Sequence, residues 1–167
     1  LVQGAGLVTV LDHEGAIKWQ AGGGPTYSYP MTADVNMDGF MDVVVVSGGA
    51  IRVHNGGDGA VLEEWKLPST GYRAGIAMDL DNDGVVDFAG SGTGSKFSVV
   101  LRSSVGVAKK ILTITPPAGT YFDGDVPLAA DIDGDGPAEL ILGTGYPTCN
   151  GGNAPACNAK LLIYDSS

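Results

Sequence analysis

Apolar and polar residues alternate with period two over several short stretches. Ile51/Val53 and Phe97/Val99/Leu101 each share one face, the pattern of half-buried strands. No stretch carries a sustained 3.6-residue period, so no helix of consequence is predicted. Leu7–Trp19 and Ala50–Trp65 each read as a strand, a Gly-containing turn and a second strand ending in Trp, which is a β-hairpin. Lys96–Arg102 and Lys109–Ile114 form a third hairpin, and Lys160–Asp165 begins a fourth. The fold class expected is all-β.

An acidic segment recurs between the hairpins. It opens at Asp34, Asp79 and Asp131, giving periods of 45 and 52 residues. A propeller blade of four strands takes about 40–50 residues. Residues 1–167 are therefore read as one repeat domain, with repeats at about 1–43, 44–88 and 89–140 and a partial one at 141–167. Leu1–Gly6 lines up with strands that follow an acidic segment, such as Leu140–Gly145, and the chain stops where the other hairpins turn back. The expectation is an open fragment of a larger β-propeller. A ring closes with about four to eight blades, and three leave two unpaired edges open to association.

Each acidic segment places its side chains at positions 1, 3, 5 and 9 with Gly at position 6. These are Asp34, Asn36, Asp38 and Asp42; Asp79, Asp81, Asp83 and Asp87; and Asp131, Asp133, Asp135 and Glu139. The 1, 3, 5 spacing lets a curled backbone aim successive oxygens at one centre, and Gly accepts the positive φ of the bend. The carbonyls at position 7, on Phe40, Val85 and Pro137, can then turn inward. An all-oxygen donor set rich in carboxylates suits Ca²⁺ with its six to eight ligands, one ion per loop and about three in all. Soft metals need Cys or His, which the loops lack. An EF-hand shares the opening but requires Glu at position 12 and flanking helices. Position 12 is Val45, Gly90 or Leu142, and strands follow. Carboxylates crowded together without a cation repel.

These loops, the small residues before them (Ala33, Ala77, Ala129, Ala130) and the strands ending in Gly after them resemble the FG-GAP/VCBS repeats of integrin α-like β-propellers. The resemblance spans essentially the whole chain. It implies calcium loops that are largely structural and tie strands together within each blade. Asn36 at position 3, Pro137 at position 7 and Glu139 at position 9 depart from the pattern and are expected to tune individual sites.

Charge sharpens this picture. Eleven of the 19 acidic residues lie in the three loops, and three divalent ions would move the net charge from −10 to −4. Only 9 Lys and Arg are present, unclustered, which argues against a nucleic-acid partner. No apolar run approaches the roughly 18–20 residues of a membrane span. Cys149 and Cys157 sit in a Gly/Pro/Asn-rich stretch and are read as a disulfide formed in an oxidising, extracellular or periplasmic compartment. His13 and His54 are expected as exposed turn residues. Trp19 and Trp65 are expected to pack between blades, and Tyr27, Tyr29, Tyr72, Tyr121 and Phe122 around the loops. No catalytic constellation is read from the sequence. The function expected is a secreted or cell-surface module for adhesion, ligand binding or scaffolding, with a glycan or protein ligand. The alternatives are part of a larger secreted enzyme, such as a polysaccharide lyase, and a structural subunit whose open edges associate.

Overall fold

The computed structural model describes residues 2–4, 6–22, 29–47, 49–67, 74–91, 96–118, 120–122, 127–145 and 161–164. The described residues form four antiparallel sheets and contain no helix. The first sheet runs β1 (Val2–Gly4), β2 (Leu7–Leu11), β3 (Ile17–Gly22). The second runs β4 (Met31–Ala33), β5 (Asp42–Ser47), β6 (Ala50–His54), β7 (Val61–Lys66) in spatial order. The third repeats that meander with β8 (Ala74–Met78), β9 (Asp87–Ser91), β10 (Phe97–Ser104) and β11 (Val107–Ile114). The fourth comprises β12 (Tyr121–Phe122), β13 (Leu128–Ala130), β14 (Glu139–Gly145) and β15 (Leu161–Tyr164). Ile141 of β14 pairs with Leu128 of β13 and Ile163 of β15, so those two strands flank it. The chain is all-β, and its small four-stranded meanders are propeller blades.

Three cores stack the sheets in chain order. On β5, Val43 and Val45 join Val8 and Trp19 of the first sheet. Val44 and Val46, on the opposite face because strand side chains alternate, join Phe88 and Val100 of the third. On β10, Phe97, Val99 and Leu101 face Phe122, Leu140 and Leu142 of the fourth sheet. Each fully buried aliphatic or aromatic side chain contributes about 1.5–3 kcal/mol over exposure. The half-buried reading of β6 and β10 is therefore corrected. Val100 and Arg102 on the other face of β10 are also buried, because an inner strand of a stacked blade has a neighbouring sheet on both sides.

All three hairpins occur as expected, as β2–β3, β6–β7 and β10–β11. Each shifts register near its turn, for example between Val53 and His54. Each acidic loop joins two consecutive, paired strands of one sheet: β4 to β5, β8 to β9 and β13 to β14. Repeat units ending at 43, 88 and 140 thus fall within β5, β9 and β14, whereas the sheets begin earlier, at β4, β8 and β12. The sheets also approach closely. A Cβ on Gly75 of β8 would stand 3.0 Å from Val46 Cγ2 of β5, so the missing side chain is what admits the neighbouring sheet.

Candidate metal centre

The three loops share one backbone path. Position 6 has positive φ in all of them, at Gly39, Gly84 and Gly136, as its Gly predicts. Position 4 does too, at Met37, Asn82 and Gly134. Asn and Gly tolerate that conformation and so hint at it, whereas Met37 gives no signal in the sequence.

Position 1 organises each loop by accepting its amides. Asp34 takes the N–H of Asp38 and Gly39 at 3.0 and 2.9 Å. Asp79 takes those of Asp83 and Gly84 at 3.1 and 2.8 Å. Asp131 takes those of Gly134 and Gly136 at 2.6 and 3.1 Å. Position 9 anchors the loop from below and is buried in every copy, as Asp42, Asp87 and Glu139. One of its oxygens accepts the position-2 amide, from Val35, Leu80 or Ile132. The other reaches the next hairpin in two copies, Gly56 N to Asp42 Oδ1 at 3.1 Å and Arg102 N to Asp87 Oδ1 at 2.6 Å. A carboxylate oxygen has lone pairs left over after one hydrogen bond, so these contacts hold the donors in place without exhausting them.

Carboxylate oxygens of Asp79, Asp81 and Asp87 lie within 4.8 Å of one another, as do those of Asp131, Asp133 and Glu139. Positions 1, 3 and 9 are thus brought together. Position 5 is not in either group; Asp38 and Asp83 instead accept the position-7 amides of Phe40 and Val85, both at 2.9 Å. Pro137 has no N–H to offer Asp135. In the first loop, position 3 is an amide, and Asn36 donates to Asp38 Oδ2 at 2.9 Å. The first loop therefore offers two carboxylates and one amide oxygen at positions 1, 3 and 9.

The clusters fit a hard cation. Asp81 Oδ1 and Glu139 Oε1 are buried with no hydrogen-bond partner, a costly state that an ion relieves. Burial pushes the Asp87 carboxyl up to about 6, and the neighbouring Asp81 and Asp83 charges add to the rise, against the Arg102 and Leu80 amides. The second loop carries its own cation: Lys109 Nζ lies 2.6 Å from Asp81 Oδ2 and 3.2 Å from Asp83 Oδ2. The Val85 amide and then Lys109 hold Asp83 below the usual carboxylate range.

Sequence reasoning missed Arg102 and Glu63. Arg102 is fully buried on β10 and pairs with Glu63 of β7 at 2.9 Å. Its guanidinium also donates to Val86 O in the second loop and to Val35 O in the first at 3.4 Å, and lies 4.9 Å from the Phe88 ring centroid. Glu63 Oε2 accepts from Gly106 N and Trp65 Nε1 at 2.8 and 3.1 Å. This group bolts the two loops and two sheets together. Nothing in the sequence marks it, since an Arg in a strand ordinarily reads as exposed.

Among the other expected residues, His13 is exposed, but His54 is buried. Its Nδ1 lies 3.0 Å from Gly59 O and its ring faces Trp19 at 6.1 Å, because the adjoining sheet covers the turn. Trp19 and Trp65 pack between sheets as expected. Phe122 is buried edge-on against Phe97 at 6.1 Å. Tyr29 is exposed, correcting its expected packing. Tyr27, Tyr72, Cys149 and Cys157 lie outside the described residues, as does the Tyr121 side chain.

Residues 34–90, from the first acidic loop through β9, match the family model of the FG-GAP-like repeat. This stretch is an FG-GAP-like repeat, within an all-β chain of propeller-type blades. No curated protein matches the chain. Among the described residues, no helix is long and apolar enough to cross a membrane.

Proposed function

We propose that this chain is a calcium-stabilised β-propeller module, working outside the cell in adhesion, ligand binding or scaffolding. Its three loops each hold one Ca²⁺. The observation that carries the reading is the convergence of positions 1, 3 and 9 in the second and third loops, with buried unpartnered oxygens at Asp81 and Glu139. Bound calcium neutralises those charges and fixes each loop between the two paired strands that flank it. The acidic residues are assigned to metal holding rather than acid/base catalysis, because the buried Asp42 and Asp87 are already fixed by backbone amides on both oxygens. The ligand is a glycan or another protein, and a Cys149–Cys157 disulfide belongs to the same extracellular reading. Thermal unfolding with and without EDTA tests it. Chelation lowers Tm by several degrees and calcium in excess restores it; an EDTA-insensitive Tm refutes it.

A further inference from the structure

Each acidic loop is hydrogen-bonded to the next through the residue at its position 2. Between the second and third loops, Leu80 N donates to Asp87 Oδ2 at 2.9 Å, and Leu80 O accepts from Ala138 N at 2.8 Å. Ala138 adjoins Glu139, position 9 of the third loop. One short run of bonds therefore joins the position-9 carboxylates of the two loops. Between the first and second loops the run passes through a side chain. Val35 N donates to Asp42 Oδ2 at 3.2 Å, and Val35 O accepts from Arg102 Nη2 at 3.4 Å. Arg102 N in turn donates to Asp87 Oδ1 at 2.6 Å, while its Nη1 holds Val86 O. Every residue named in the two runs is buried, apart from Val86. The first loop reaches the third by way of the second.

We propose that calcium binding is coupled between neighbouring loops, with Arg102 as the positioning residue that couples the first to the second. This rests on the calcium reading above. In an empty loop the carboxylates repel. An ion held at positions 1, 3 and 9 fixes the residue at position 2, which lies between two of its ligands in the chain. Fixing Val35 O orders the Arg102 guanidinium, whose own backbone is bonded to Asp87. Fixing Leu80 O orders Ala138 and the start of Glu139. The residues shared by two loops are ordered once, so the second ion binds tighter than it would alone. The gain is the same whichever loop fills first.

Calcium titration calorimetry on chains with chosen loops disabled tests this, with thermal unfolding to show that each chain is folded. Asp131→Ala leaves the first and second loops, Asp34→Ala the second and third, and Asp79→Ala the first and third. Chains carrying two of these substitutions give each loop's affinity alone. The two neighbouring pairs should bind roughly 5- to 10-fold tighter than their single loops predict, and the first-and-third pair should show no gain. Adding Arg102→Met should abolish the gain in the first pair and leave it intact in the second, a split that a merely stabilising role would not produce. Should Arg102→Met unfold a chain, Arg102→Lys serves, since one ammonium cannot span the Val35 and Val86 carbonyls while still opposing Glu63. Loops that fill independently or hinder one another overturn the coupling and leave the calcium reading standing. A gain lost equally from both pairs, or kept in both, overturns the role of Arg102. Calcium binding to none of the chains, wild type included, overturns the calcium reading itself.

Discussion

Replacing Arg102 with Met removes the cation of the buried pair while keeping an unbranched side chain of similar length. Glu63 would keep its bonds from Gly106 and Trp65 but lose the guanidinium at 2.9 Å. Its charge would then be buried without a partner. The carbonyls of Val86 and Val35 would lose a donor as well. Breaking a buried pair from one side costs about 3–5 kcal/mol. For a chain of this size that lowers Tm on the order of 10 °C. The Arg102→Met/Glu63→Gln double variant removes both charges, so it should lose less than the two single variants summed. The gap should be at least about 1 kcal/mol, as for residues in direct contact. The assay is a double-mutant cycle on urea midpoints in saturating calcium. Additive losses, or an Arg102→Met cost no larger than that of a typical surface substitution, would refute the account of this group as the bolt between two blades.

Two further substitutions separate backbone strain from packing. Gly59 and Gly15 both have positive φ, yet a Cβ on Gly59 would stand 2.6 Å from Trp19 Cε3, whereas one on Gly15 meets nothing within 4 Å. Gly59→Ala should cost about 2–4 kcal/mol by thermal or urea unfolding, and Gly15→Ala only about 1 kcal/mol. Lys109→Met removes an ammonium that a metal ion must displace from Asp81 and Asp83. Calcium titration calorimetry should therefore show a few-fold tighter second-loop site, since a partly exposed ion pair is a weak competitor. An unchanged or weakened site would count against the ligand roles of those two aspartates.

The features legible in the sequence were those fixed by local chemistry. Alternate carboxylates with Gly39, Gly84 and Gly136 at the bend announced the loops, because the backbone conformation and the donor spacing both depend on a few adjacent residues. The hairpins were legible for the same reason. What the sequence concealed arises between sheets. The pairing of Arg102 with Glu63 joins residues in different blades, and the burial of His54 comes from Trp19 of the preceding sheet. Burial on both faces of β10 likewise follows from stacking, and alternation alone speaks only of one face. Met37 at positive φ shows the loop path overriding a residue's own preference.

The central claim is that three loops hold three calcium ions that stabilise the blades. Native mass spectrometry with calcium titration on the intact chain tests it most directly. The account predicts three ions per chain, falling to two when Asp79 is replaced by Ala, with Tm rising as the sites fill. Absence of bound calcium at millimolar free ion, or an unchanged count in Asp79→Ala, would contradict it.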